Sequence, residues 1–115
     1  MTAVATSTWI DVGPVSVLTP DRGVAALVDG RQVAVFLVGD GTLHALDNRD
    51  PVSGANVLSR GIVGDRGGEA VVASPVYKQC FSLLTGRCLD DPDEAVAVHE
   101  VRTQDGRVHV RIADR

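Results

Sequence analysis

Hydrophobic and polar residues alternate with a period of two near the C-terminal end of the chain, where residues 107–112 read Arg-Val-His-Val-Arg-Ile. Such alternation places the apolar side chains on one face and the cationic ones on the other, as in a half-buried antiparallel strand. Asp105 and Gly106 precede this segment, and an apolar run over residues 95–101 precedes them. An Asp-Gly pair between two such runs predicts a hairpin with a tight turn.

Short apolar runs separated by glycine-containing turns recur along the chain, with turns at Asp29-Gly30, Gly39-Asp40-Gly41 and Gly67-Gly68. This pattern predicts strands near residues 9–12, 24–28, 32–38, 42–46, 69–73, 80–83, 95–101 and 107–112. Short helical turns are expected only near residues 15–18 and 55–58. Many short strands at regular spacing favour an all-β antiparallel sandwich or small barrel. The connection from Asn48 to Ile62 is longer than a hairpin needs, and long loops on a β scaffold often carry function.

The composition narrows the class of protein further. A chain of 115 residues is expected to form a single domain, residues 1–115, with an ordered core over about 8–113. The formal net charge of -4 and the pI near 5.2 argue against nucleic-acid binding, which needs clustered cations. No apolar run reaches the ~18 residues of a membrane helix, and the first residues lack the pattern of a signal peptide. We therefore expect a soluble, cytoplasmic protein.

Residues with reactive side chains form no obvious catalytic set. Cys80 and Cys88 flank a turn signal, and we interpret them as reduced packing residues, with a disulfide as the lesser alternative. His44, His99 and His109 are interpreted as ordinary strand residues, and the acidic run over residues 90–94 as a solvated turn. No catalytic, cofactor-binding or metal-binding residue is predicted in this chain.

Two short segments carry the strongest functional signal. Residues 47–51 read Asp-Asn-Arg-Asp-Pro, and residues 74–81 read Ser-Pro-Val-Tyr-Lys-Gln-Cys-Phe. They resemble the ligand loops of a Rieske iron-sulfur centre, in which a Cys-x-His loop and a Cys-Pro-x-His loop supply two Cys and two His. The chain keeps the proline and the final phenylalanine of the second loop but none of the ligands. The vestigial ligand positions are occupied by Asn48, Asp50, Ser74 and Tyr77.

These loops make the chain similar to the Rieske-like superfamily, and within it to the cluster-free small subunits of the assimilatory NAD(P)H-dependent nitrite reductase. Shorter matches extend the resemblance from about residue 9 to residue 112: Val57-Leu58-Ser59-Arg60-Gly61, Phe81-Ser82-Leu83, Thr85-Gly86-Arg87-Cys88-Leu89 and Val108-His109-Val110. The resemblance implies a Rieske-like antiparallel β-sandwich or small barrel with a cluster-binding-type subdomain that lacks the cluster.

The resemblance also implies a function within a complex. Small subunits of this family associate with a large catalytic subunit that carries FAD, an NAD(P)H site, an iron-sulfur cluster and sirohaem and reduces nitrite to ammonium in nitrogen assimilation. The expected role of this chain is to dock on and support that subunit, with no cofactor and no catalysis of its own. Two alternatives stay open: a Rieske-type ferredoxin or oxygenase electron-transfer component with unexpected ligands, and a stand-alone protein-interaction module.

Two expectations concern the emptied loops. Because an apolar void is costly, we expect the Tyr77 ring to pack between the loops with its hydroxyl bonded to Asp50, Asn48 or a backbone carbonyl. A surface aromatic in a docking patch is the alternative. We expect the partner to contact the tip formed by residues 48–57 and 75–79, with an exposed sheet edge as the competing surface. The partner-docking candidates are Arg49, Tyr77, Lys78 and Gln79.

Overall fold

The computed structural model describes residues 8–113, and its regular elements are almost entirely strands. In chain order they are β1 (Ile10–Pro14), β2 (Gly23–Val28), β3 (Arg31–Leu37), β4 (Leu43–Asp47), β5 (Ile62–Arg66), β6 (Glu69–Ala73), β7 (Cys80–Ser82), β8 (Val98–Gln104) and β9 (Arg107–Arg111). Short 3-10 turns occupy Val15–Val17 and Leu58–Arg60. Within residues 8–113, no helix has the length and apolar character needed to cross a membrane.

The strands form two antiparallel sheets. The larger sheet has the order β1-β9-β8-β4-β3-β2, and β1 also lies against β2, so this sheet curls into a nearly closed barrel. The smaller sheet has the order β5-β6-β7 and carries the second of the two emptied loops at one end. The predicted all-β antiparallel class is therefore confirmed.

Strand β3 is the central element of the core because it is buried on both faces. Val33 and Val35 pack with side chains of the larger sheet alone, and Ala34 and Phe36 pack with side chains of both sheets. Side chains of a strand alternate between its two faces. A strand covered on both sides therefore needs an apolar residue at every position, which explains the run Val-Ala-Val-Phe in the sequence.

Two strands differ from the prediction. Strand β5 (Ile62–Arg66) was missed because it is an edge strand that pairs only with β6 and leaves Ile62 76% exposed, so its sequence shows no alternation. Strand β8 begins at Val98, three residues later than expected, because the residues before it pair with a different segment: Ala95 forms a bridge with Arg87, and the Val96 N–H donates to the Gly86 carbonyl. The connection between β4 and β5 covers residues 48–61.

The predicted Asp-Gly hairpin joins β8 to β9, with Gln104 paired to Arg107. Asp105 and Gly106 have φ angles of 54° and 76°. Positive φ at both central positions is the signature of the type I′ turn, whose twist matches that of the flanking strands. The local sequence therefore determines this turn.

The two cysteines are free thiols that lie on different faces of a strand pair. Cys88 pairs with Phe81, and both are buried in the core cluster shared by the two sheets. Cys80 is the neighbour of Phe81 and is half-buried. Because neighbouring side chains alternate between faces, Cys80 points away from Cys88, which explains why the two do not form a disulfide.

Candidate functional site

The two emptied loops meet at one end of the fold. The first loop (residues 48–57) follows β4, and the second loop (residues 74–79) joins β6 to β7. Asp50 of the first loop is fully buried, and Ser74 of the second is 1% exposed. The Ser74 hydroxyl donates a hydrogen bond of 2.5 Å to Oδ2 of Asp50. The two loops are therefore joined directly, side chain to side chain.

Asp50 is the centre of the first loop. Its Oδ1 accepts hydrogen bonds from the N–H groups of Val52, at 2.8 Å, and Ser53, at 3.3 Å. Burial alone would raise the pKa of Asp50, but the hydrogen bonds from Ser74 and from the Val52 and Ser53 N–H groups outweigh it and lower the pKa below its usual value. Asp50 is therefore an ionised carboxylate stabilised by uncharged donors.

Asn48 is the second buried polar residue of the first loop, at 2% exposure. Its Nδ2 donates to Oε1 of Gln32, at 3.1 Å, and to the carbonyl of Asn56, at 3.2 Å. Its Oδ1 accepts the Ser59 N–H at 2.7 Å. Asn48 thus links the first loop to β3 and to the following 3-10 turn, which is a structural role.

The second loop is a turn held by the backbone of Ser74. The Ser74 N–H donates to the carbonyl of Gln79, and the Lys78 N–H donates to the carbonyl of Ser74, both at 2.9 Å. The Val76 N–H also donates to the Ser74 hydroxyl oxygen at 3.3 Å. These bonds turn the intervening residues outward, so that Val76 is 43% and Tyr77 is 61% exposed.

The expectation that Tyr77 fills the volume between the loops is therefore wrong. The ring lies at the surface, and Asp50 takes its hydrogen bond from Ser74 rather than from a phenol. The physical reason is that Asp50 and Ser74 contact each other directly between the loops, while the turn closed on Ser74 directs Tyr77 outward. The alternative that the sequence left open, an exposed aromatic at a loop tip, describes the position of Tyr77.

The side chains at the four ligand positions do not fit an iron-sulfur cluster. Asn48, Asp50, Ser74 and Tyr77 supply no thiolate and no imidazole, the ligands that Rieske clusters use. Within residues 8–113, no group of His, Cys, Asp and Glu is arranged to hold a metal ion. In addition, the side chains at two of the four positions, Asp50 and Ser74, are in direct hydrogen-bond contact with each other.

The four docking candidates are distributed over both loops. Arg49 lies exposed on the first loop, and Tyr77 and Lys78 lie exposed on the second. Gln79 is half-buried, and its Oε1 has no hydrogen-bond donor within the described part of the chain. Neither Arg49 nor Lys78 forms an ion pair with another residue in the range 8–113. The structure thus leaves one cation exposed on each loop, and Lys78 directly follows the exposed Tyr77.

A buried histidine at the base of the first loop was not predicted. His99 is 4% exposed; its Nδ1 accepts the Ala113 N–H at 3.0 Å, and its Nε2 donates to Oδ1 of Asp47 at 2.7 Å. Asp47 also pairs with Arg31 at 2.9 Å. Burial raises the pKa of Asp47, but the hydrogen bonds from His99 and Arg31 outweigh it and lower the pKa. No local sequence signal marks His99, because only the pairing of β4 with β8 brings it to Asp47.

Comparison with known proteins agrees with this geometry. The sequence model of a family described as "Rieske-like [2Fe-2S] domain" matches residues 8–111. The fold and the two loops define the chain as a Rieske-like domain, and the residues at the ligand positions distinguish it from the cluster-bearing members.

Relatives narrow the assignment to one branch of that class. The chain is 39% identical over 106 residues to the nitrite reductase (NADH) small subunit of Escherichia coli strain K12, covering 91% of this chain and 98% of that protein. A crystal structure described as the NADH-dependent nitrite reductase small subunit of Mycobacterium tuberculosis has 50% sequence identity and a TM-score of 0.90, covering 95% of this chain and 98% of that one. The chain belongs to the family of nitrite reductase small subunits.

One relative has a different organisation. The chain is 42% identical over 102 residues, 89% of its own length, to the nitrite reductase [NAD(P)H] large subunit of Klebsiella oxytoca, of which it spans 11%. A domain similar to this chain is thus part of a much longer large-subunit polypeptide in that protein.

Proposed function

We propose that this protein is the small subunit of an NAD(P)H-dependent nitrite reductase, which docks on the large catalytic subunit and supports the reduction of nitrite to ammonium in nitrogen assimilation. The observation that carries the proposal is the match to small subunits along 98% of their length. The Klebsiella large subunit supports the association, because a domain similar to this chain is covalently joined to the catalytic part there.

In this proposal, all redox chemistry takes place in the large subunit. That subunit would carry sirohaem, an iron-sulfur cluster, FAD and the NAD(P)H site, and this chain would hold no cofactor. The donor set at the four ligand positions supports this division, because it offers no ligand that suits iron-sulfur chemistry. We place the complex in the cytoplasm, where a reducing environment suits the free thiols of Cys80 and Cys88.

The proposed docking surface is the tip formed by the two loops. Exposed apolar side chains lie there, with Val52 at 36%, Val76 at 43% and Tyr77 at 61% exposure. Arg49 and Lys78 add two positive charges at the same tip. Aromatic residues flanked by cations are common anchors of protein interfaces, and the cations favour acidic residues on the rim of the partner's surface.

The two ends of the described residues lie near the base of the first loop. Ile10 in β1 pairs with Val110 in β9, so the two ends of the described chain lie side by side. Ala113 is bonded to His99, and His99 to Asp47, the residue that precedes the first loop. These contacts place the ends of the described residues on the side of the domain that carries the first loop.

The test is a binding measurement with the purified large subunit from the same source. Tyr77→Ala should weaken the affinity about 10- to 30-fold, since loss of an aromatic anchor removes a central interface contact. Lys78→Glu should also weaken the affinity, and the loss should be larger at low salt than at high salt. Calorimetric titration and nitrite-dependent NAD(P)H oxidation are the measurements.

Matched controls are available at the opposite ends of the sheets. Leu84 is 70% exposed in the turn after β7. Arg22 is exposed just before β2, at the end of the β2–β3 pair opposite to Gln32, whose carbonyl accepts the Asn48 N–H. Leu84→Ala and Arg22→Glu should leave affinity and activity unchanged. Equal affinity of the wild-type chain and the Tyr77→Ala variant would reject the tip as the docking surface, and no binding by the wild-type chain would reject the proposed function.

A further inference from the structure

The clearest departure from a Rieske protein is the direct bond between the two loops that a cluster would bridge. We infer that Asp50 and Ser74 form a metal-free clasp, which replaces the cluster as the link between the loops and makes both residues positioning residues for the tip. The clasp itself follows from the structure alone. Only its importance for docking rests on the proposed function.

The first half of the clasp is a loop folded around one carboxylate. The Asp50 N–H donates to the carbonyl of Ala55, and the Asp50 carbonyl accepts the Gly54 N–H, both at 2.8 Å. Together with the Val52 and Ser53 N–H groups on Oδ1, these bonds leave Oδ2 as the atom that reaches the other loop. Asp50 therefore shapes the first loop and presents one oxygen to the second.

The second half of the clasp is Ser74, whose polar groups all act within the tip. Its N–H and carbonyl close the turn onto Gln79 and Lys78, and its hydroxyl oxygen accepts the Val76 N–H. The hydroxyl group also donates the hydrogen bond that joins this loop to Asp50 of the first loop. Because the same residue closes the turn and makes the crossing bond, a displacement of Ser74 displaces Val76 and Lys78.

The charge of Asp50 makes the clasp strong. No Lys, Arg or His of residues 8–113 forms an ion pair with Asp50, so its charge is balanced only by hydrogen-bond donors. Hydrogen bonds to a buried carboxylate are stronger than those between neutral groups. When the Ser74 donor is removed, hydration of the Asp50 carboxylate becomes more favourable than burial without that hydrogen bond. We therefore expect the two loops to separate.

Amide hydrogen exchange measured by NMR on the free chain tests the clasp. In Ser74→Ala, the amides of Lys78 and Val52 should exchange about 10- to 100-fold faster, because loss of a charge-assisted buried bond lowers the free energy of local opening. Asp50→Asn keeps the size of the side chain but removes the charge, and it should raise exchange at the same amides by a smaller factor.

Ser82→Ala is the matched control. Ser82 is equally buried, and its hydroxyl oxygen accepts the Leu84 and Thr85 N–H groups in the turn at the other end of the smaller sheet. Its replacement should speed exchange in that turn and leave Lys78 and Val52 unchanged. If Ser74→Ala leaves exchange at the tip unchanged, or raises it no more than Ser82→Ala does, the clasp is rejected.

Binding to the large subunit then tests the positioning role. Ser74→Ala should weaken affinity about tenfold without any change to the exposed side chains, whereas Ser82→Ala should not. Faster exchange at the tip with unchanged affinity would overturn the positioning role and leave the small-subunit function intact. Absence of binding by the wild-type chain would count against the proposed function instead, and the exchange data would still decide the clasp.

Discussion

At the scale of single residues, the base of the first loop depends on the contact between Asp47 and His99. A buried imidazole, 4% exposed, donates to a carboxylate that also pairs with Arg31, and its other nitrogen accepts the Ala113 N–H. These bonds join β3, β4, β8 and the segment after β9. His99 is therefore a structural residue, although its position close to the tip would suggest a functional one.

The lowered pKa of Asp47 predicts a pH-dependent contribution to stability. A carboxylate whose pKa is lower in the folded state stabilises the protein above its usual value of 3.8, and this contribution is lost as the pH falls through the folded-state pKa. Asp47→Asn should lower the free energy of unfolding by about 1–3 kcal/mol at neutral pH. The difference from the wild-type chain should shrink below pH 3.8. Urea unfolding at neutral pH and below pH 3.8 measures this difference in stability.

Asp29→Asn is the control for this prediction. Asp29 is exposed in a turn at a φ of 51°, a conformation that asparagine tolerates well, so the replacement should change stability little at either pH. A loss of stability in Asp47→Asn that is as large in acid as at neutral pH would contradict the ionised contact.

At the scale of elements, the turn between β7 and the segment before β8 is held by close packing at Gly86. This residue has a φ of 78°, and a Cβ placed on it would lie 2.1 Å from the carbonyl oxygen of Val96 and 2.9 Å from a methyl group of Val98. The Val96 N–H in turn donates to the Gly86 carbonyl. The turn therefore needs glycine for its backbone angle and for the approach of the neighbouring chain.

Gly86→Ala should consequently lower the free energy of unfolding by about 2–5 kcal/mol, the sum of the costs of a left-handed conformation and of a steric overlap. Gly41→Ala separates the two effects, because Gly41 has a φ of 93° and no heavy atom within 4 Å of its Cβ position. It should cost only about 1–2 kcal/mol. Chemical denaturation of both variants is the measurement, and equal losses of stability would show that the close approach to Val96 is not a constraint.

At the scale of the whole molecule, an acidic chain carries cations at its proposed docking tip. The formal net charge is -4, yet Arg49 and Lys78 face solvent without an ion-pair partner among residues 8–113. Exposed cations at the tip would attract acidic groups on a partner's surface, although the chain as a whole would repel them.

The missing ligands predict the behaviour of the purified protein. The chain should be colourless, should contain no stoichiometric iron or acid-labile sulfide, and should stay so after treatment with iron and sulfide under reducing conditions, because no thiolate or imidazole is present at the ligand positions. Elemental analysis and a visible absorption spectrum are sufficient. About two irons per chain with matching sulfide would contradict this prediction and would support the ferredoxin alternative.

The sequence was sufficient wherever neighbouring residues decide the structure. The alternation in β9 and the Asp105-Gly106 turn gave the last hairpin, and the residues at positions 48, 50, 74 and 77 showed that the ligands of a cluster are absent. Both depend on local chemistry: the backbone angles that a residue prefers and the atoms that it can offer to a metal.

Contacts between distant segments were decided only by the tertiary structure. The sequence does not show that Ser74 bonds to Asp50 and so leaves Tyr77 at the surface, that β4 brings Asp47 to His99, or that β5 pairs as an edge strand. Each of these depends on which segments become neighbours after folding. A side chain's neighbours set its burial and its hydrogen-bond partners, and these neighbours are distant in sequence: Asp47 and His99 are 52 residues apart.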